Sequence, residues 1–277
     1  CHEFIANDNA NNRVLYVNEF EPSKNWIAPA GDTGQNSPRT IEIVDNATAM
    51  TGKAVLVSLN RGFAEFDLVN GAALMPKVLN QTGVSGAVRI PNPANPAMQT
   101  TALGVGSTAI RTVNNTGVQI STFTLPNGTD DLRAINRNPA DGTFWFSKLD
   151  DIFQVSATGQ MLWSANLGLG TKGYAVWWRA GGGAYATTGD PPTVVGFDAN
   201  KVKNLSVGTK TKFPELDFFS GFVRLANGNF VVANWLGHID DVATRPHIVE
   251  ITPQDTIVWR WGTQANARQI TNVFVIR

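Results

Sequence analysis

The sequence predicts an all-β chain, a six-bladed β-propeller whose blades are four-stranded antiparallel sheets. Three observations predict it. Arg89, Arg133, Arg179 and Arg224 recur at intervals of 44, 46 and 45 residues, each at the end of an apolar run that a turn and a second strand-like run follow. A period in the mid-forties built from short strands is the signature of a radial β repeat. No long amphipathic helical pattern interrupts it, and 26 glycines and 14 prolines suit a chain of many turns. The two ends of the chain, finally, carry fragments that complete one another.

The clearest copy of the repeat lies near the carboxyl end. Phe222 to Leu225 is an inner run, Asn227-Gly228 a tight-turn dipeptide expected to take positive φ at both residues, and Phe230 to Ala233 the second strand. A polar loop from Asn234 to Arg245 leads to His247–Ile251 and Thr256–Trp261, giving strands A to D. The same order returns at 86–90, 98–104, 108–113 and 118–125, and again at 132–135, 143–147, 152–155 and 161–165. A fourth copy runs from Tyr174 to Phe197 with a weaker outer strand near Leu205, and a fifth from Thr40 to Leu79. What remains is a lone inner strand at 270–276 and three strands at 3–6, 13–17 and 25–28, which together make a sixth blade. Closing the ring in this way removes open strand edges. Six blades of about 46 residues account for the chain as a single domain, residues 1–277.

Composition narrows the function classes. The 22 basic and 22 acidic residues cancel, so no global field draws nucleic acid or an anionic membrane. No run of eighteen apolar residues is present, which argues against a membrane-spanning helix. The single cysteine, Cys1, has no internal disulfide partner; a chain opening at cysteine resembles a mature bacterial lipoprotein, which makes Cys1 a candidate lipid anchor. Asn-x-Ser/Thr sequons at Asn46, Asn80, Asn114, Asn127 and Asn204 suit a secreted protein. The expected location is extracellular, periplasmic or on the outer cell surface.

Ligands of propellers meet the central channel and the loops joining D to A and B to C, which share one face. The candidate binding residues there are Asp150 and Asp151, Asp190, and the long loop carrying Trp235 and His238. Trp26, Trp163 and Trp259 occupy equivalent places on strand D and read as packing between blades; Trp235 has no such counterpart. Trp177 and Trp178 sit on an inner strand, where alternation turns one of them toward the channel. Histidine is the side-chain type suited to proton transfer and nucleophilic attack, which makes His238 the candidate base or nucleophile. With His247 nine residues on, and Asp240 and Asp241 between them, it also forms a loose candidate set for a bound metal ion, without zinc-type spacing. The four arginines either tie blades together as a structural ring or line one channel mouth and bind an anion.

The stretch from Val223 to His238, followed by Ile248-Val249-Glu250-Ile251-Thr252-Pro253 and Ile257-Val258-Trp259, resembles the blades of bacterial quinoprotein-like and arylsulfotransferase-like propellers. That resemblance implies a scaffold more than an activity. Arylsulfotransferases of this fold use a channel histidine as nucleophile, and His238 is the one residue to which that role transfers. Three functions follow as expectations: a secreted or anchored module binding a small ligand, polysaccharide or protein on its loop face; a hydrolase or transferase centred on His238; or a structural subunit of a surface assembly.

Overall fold

In the computed structural model, which describes all residues except 32–35, 93, 96–97, 127–130, 239–243 and 264, twenty-three strands form six antiparallel sheets around a central channel. The ring closes as the sequence predicts. Strand β23 (Ile270–Val275) pairs with β1 (Glu3–Asp8), followed outward by β2 (Arg13–Asn18) and β3 (Trp26–Pro29). His2 strengthens the closure: its Nε2 lies 2.7 Å from Glu250 Oε2 in the preceding blade, and its ring packs edge-on against Trp259.

Four further blades have four strands each. They are β7 to β10 (Val84–Ile90, Thr100–Val105, Ala109–Val113, Gln119–Thr124), β11 to β14 (Leu132–Arg137, Phe144–Lys148, Asp151–Val155, Met161–Asn166), β15 to β18 (Gly173–Trp178, Ala184–Thr188, Thr193–Phe197, Lys203–Val207) and β19 to β22 (Phe218–Arg224, Phe230–Trp235, Ile248–Ile251, Ile257–Trp261). The remaining blade, β4 (Pro38–Asp45), β5 (Lys53–Leu59) and β6 (Gly62–Asp67), has three. Its outer edge is covered by an irregular segment held through the isolated bridges Phe63 to Val78 and Phe66 to Ala73. Pro76, which has no N–H to donate, interrupts any regular outer strand there.

Two features repeat from blade to blade. In β4, β7, β11, β15 and β19, the innermost strand shifts register against its neighbour near its own start. A bulge there steepens the local twist and leaves backbone groups without a ladder partner. Hydroxyls from adjoining blades take up several of them. Ser147 Oγ donates to Tyr174 O at 2.9 Å, Thr187 Oγ1 donates to Ser220 O, and Thr40 Oγ1 accepts from Ala87 N at 3.2 Å. A ring of small polar side chains thus ties the inner strands together around the channel.

The second feature is the tryptophan strut. Trp26, Trp163 and Trp259 donate their indole N–H to Leu68 O, Ala199 O and Glu19 Oε2, each just beyond the third strand of the next blade, at 3.1, 3.2 and 3.1 Å. Trp163 is only half-buried, tilted against Trp145 at 5.7 Å. Its replacement by alanine is expected to cost about 2 kcal/mol, below the range for fully buried aromatics. Urea unfolding checks this, and near-wild-type stability would contradict the strut.

The turn at Asn227-Gly228 differs from expectation. Only Gly228 takes positive φ, at 93°, and the chain closes through Gly228 N to Leu225 O and Leu225 N to Asn229 O. This is a longer hairpin loop ending in a left-handed residue. The same pattern recurs at 156–160 with Gly159 and at 252–256 with Asp255.

Candidate functional site

Among the described residues, the inner strands line two cavities, one on the loop face and one on the turn face. Different positions of the same inner strands line the two: Arg39 one and Thr40 the other on β4, Arg133 and Ile135 on β11, Tyr174 and Trp177 on β15, Thr271 and Phe274 on β23. Position along the strand accounts for the division, the earlier residue of each pair facing the loop side and the later one the turn side.

The cavity on the loop face has a volume of about 220 Å³. Its polar wall is basic. Arg39, Arg133 and Tyr174 are second residues of their inner strands, and Lys172 lies just before β15. Two carboxylates answer the three cations: Asp131 pairs with Arg133, and Asp190 with Lys172 at 2.8 Å. Arg39 donates through Nε to Asn60 Oδ1 and has no carboxylate partner among the described residues. Burial pushes the Tyr174 phenol up from its ordinary range, against the opposing pull of Arg39 and Arg133, so it remains a neutral O–H donor beside them. The other wall is aromatic, with Trp235 edge-on to Phe218 at 5.4 Å and the His238 ring edge-on to Trp235 at 4.8 Å and to Phe218 at 5.5 Å.

The structure therefore joins Trp235 and His238 as the sequence predicts and separates them from several other candidates. Trp177 and Trp178 belong to the opposite cavity, with the Trp177 indole N–H held by Phe222 O at 2.9 Å. Asp150 Oδ2 accepts from Gly170 N and Asp151 Oδ1 from Asn166 Nδ2, and neither lines the loop-face cavity. His247 is buried with its ring against Gly262, away from His238, and burial pulls its imidazole below the usual histidine range. Asp240 and Asp241 lie outside the described residues. Among the described residues no group of three or more His, Cys, Asp or Glu side chains is gathered as a metal site.

The arginine series needs one correction. Arg133 opens its strand on the loop face, and Arg137, opposite Phe144 in the register, takes the place beside the turn. The strand sequence Leu132-Arg133-Ala134-Ile135-Asn136-Arg137 offers an arginine near both ends, and the more even spacing of Arg133 points to the wrong one. Arg89, Arg179 and Arg224 do stand near the turns, and each is individually engaged. Arg89 pairs with Glu65; Arg179 donates to Phe197 O and Asn204 Oδ1, and lies over the Tyr185 ring; Arg224 lies over the same ring at 5.2 Å. None of these three lines the loop-face cavity, whose cations are Arg39, Arg133 and Lys172.

The cavity at the turn face is larger, about 390 Å³. Ile41, Ile43, Val88, Ile135 and Phe274 give it apolar walls, and Trp177 and Trp178 form an aromatic pair with ring centroids 5.1 Å apart. Glu42 stands among them, a residue that sequence reasoning passed over because an isolated glutamate between two isoleucines reads as an outward-facing strand position. Its Oε2 accepts from Arg89 N at 2.7 Å. Burial pushes its carboxyl up to about 7, against the pull of that N–H and of the Arg89 and Arg137 charges.

A raised folded-state pKa means that the native protein holds the proton more tightly than the unfolded chain. The associated stability is complete below the ordinary glutamate value of 4.5 and is lost as pH rises through about 7. Glu42→Gln retains an acceptor for Arg89 N and removes this dependence. The variant's Tm relative to wild type is therefore expected to be higher at pH 8 than at pH 5; an offset equal at both would contradict the assignment.

No protein-family model matches the chain, and no sequence among curated proteins matches it. Solved structures do. A protein of unknown function from Bacteroides caccae superimposes with a TM-score of 0.75 at 18% identity, covering 100% of this chain and 99% of the other. The nidogen/laminin complex supplies a match with a TM-score of 0.67 at 8% identity, over 100% and 99%. A catalytically inactive virginiamycin B lyase from Staphylococcus aureus, solved with quinupristin, matches with a TM-score of 0.57 at 14% identity, over 84% of this chain and 73% of that one. At these identities the likeness establishes the fold alone. The fold thus aligns over most of its length with a lyase and over all of it with a chain of a protein complex.

Proposed function

We propose that the protein is a binding module that takes a small organic anion with a flat apolar body in the loop-face cavity. The observation that carries this reading is the convergence of Arg39, Arg133 and Lys172, from three different blades, on one cavity whose opposite wall is Phe218, Trp235 and His238. Like charges held together are relieved by an anion, and charge-assisted hydrogen bonds from guanidinium to carboxylate are among the stronger polar contacts. Tyr174 adds a neutral donor, and the aromatic wall accepts a ring. A position outside the cytoplasm belongs to the same proposal and rests on the sequence.

Benzoate is the smallest probe with both features. Calorimetric titration is expected to show saturable binding that weakens in Arg39→Ala and Arg133→Ala; absence of binding to wild type, or indifference to both substitutions, would overturn the reading. Catalysis centred on His238 is the second reading, favoured by the imidazole lying at the cavity rim beside these cations. A turnover lost in His238→Ala while benzoate affinity persists would support it.

A further inference from the structure

We propose that the turn-face cavity is a second, independent ligand site, one that takes a neutral planar carboxamide or lactam. Its lining shares no residue with that of the loop-face site, and its chemistry differs.

The argument starts from the polar groups on its wall. Glu42 uses Oε2 to accept from Arg89 N, and Oε1 takes no hydrogen bond from any described residue. The Arg89 guanidinium engages Glu65 and Asn115 through its two terminal nitrogens and keeps only its buried Nε without a partner. Asn136 is likewise spent, donating to Val176 O at 2.8 Å. Arg137 also lines the cavity, acts on Glu42 through its charge, and has no carboxylate within ion-pair distance among the described residues. Glu42 Oε1 and the Arg137 guanidinium thus offer an acceptor and a donor on this wall, beside the Gln99 amide and Asp45, whose carboxylate pairs with Lys53.

A ligand matching that pair must offer an N–H to Glu42 and an oxygen to Arg137. A carboxamide does both. Charge narrows the class further: Arg137 offsets Glu42 and Lys53 offsets Asp45, so a net anion meets the carboxylates and a net cation meets the guanidinium, each at a cost beside the apolar walls. The Trp177 and Trp178 rings and the flanking Ile41, Ile43 and Phe274 favour a flat apolar body. A volume of about 390 Å³ lies within the range of small-molecule sites. An acidic side chain held among apolar walls at the end of a channel is also a recurrent property of functional sites.

Benzamide is the probe, followed by the indole N–H resonances of Trp177, Trp178 and Trp235 at pH 8, with benzoate and benzamidine as charged controls. Benzamide is expected to shift Trp177 or Trp178 saturably, leave Trp235 in place, and bind more tightly than either control. Glu42→Gln places an amide N–H where the ligand's own N–H must sit, and is expected to weaken benzamide by about tenfold or more; Arg137→Ala, at a turn-face position, is expected to weaken it by a similar factor. Arg39→Ala and Arg133→Ala should leave benzamide affinity unchanged, which separates this site from the loop-face one. The proposal is overturned if benzamide gives no saturable shift, if Trp235 responds in place of Trp177 and Trp178, or if neither Glu42→Gln nor Arg137→Ala weakens it.

Discussion

Arg89→Ala is expected to lower the unfolding free energy by about 3–5 kcal/mol. The guanidinium and its partner Glu65 are both almost wholly buried, with side-chain exposures of 6% and 2%. They join β6 of one blade to β7 of the next. Glu65 Oε2 also accepts from Asn46 Nδ2 at 2.8 Å, and Arg89 reaches Asn115 as well, so the pair anchors a network across the blade boundary. Truncating the arginine leaves a carboxylate in a site where it cannot be solvated, and that uncompensated charge dominates the cost. The exposed pair Lys24 and Glu21, each 56% exposed, gives the contrast, with an expected effect below about 1 kcal/mol. Urea unfolding of Arg89→Ala, Glu65→Ala and the double variant measures the coupling. The double variant should cost clearly less than the sum of the singles; simple additivity, or a loss as small as that of Lys24→Ala, would contradict the buried network.

The second large effect is on binding at the loop face. Each of Arg39→Ala and Arg133→Ala is expected to weaken benzoate by about tenfold or more, since a hydrogen bond to a charged group contributes about 1.5–3 kcal/mol. Added salt should weaken the wild-type complex and affect the double variant less, because part of the attraction is screened Coulomb energy. Arg39 is expected to matter more. Its described contacts leave it without a carboxylate, whereas Arg133 already shares Asp131. A double variant that binds benzoate as wild type does would remove the basis of the proposed function.

How much of this was legible in the sequence differs between scaffold and site. The blade order, the ring closure by the carboxyl-terminal strand and the packing role of Trp26, Trp163 and Trp259 follow from a repeat that encodes the same contact in each copy. Repetition supplies its own check. Trp235 was singled out because it breaks that pattern, and it does line the loop-face cavity. Trp177 and Trp178 were assigned to the same site and belong to the opposite one, since which end of a channel a strand residue faces depends on its position along the strand relative to the bulge.

The arginines show the same limit more sharply. Spacing selects Arg133 as a member of the turn-side series, yet the paired register puts Arg137 there and sends Arg133 to the loop face. Arg39 and Lys172, which complete the basic wall, have no motif around them. They become a site only because three blades bring them to one axis.

The sequence by itself determined the fold class, the number of blades and the way the ring is closed, because these rest on hydrophobic runs and turns that are local and repeated. The chemistry of the two channel mouths was decided by the tertiary structure alone. Residues such as Arg39, Arg133, Tyr174 and Lys172 are far apart in the chain, and Glu42 acquires its character only from the walls that enclose it. Convergence and burial are properties of the closed ring, and no local pattern records them.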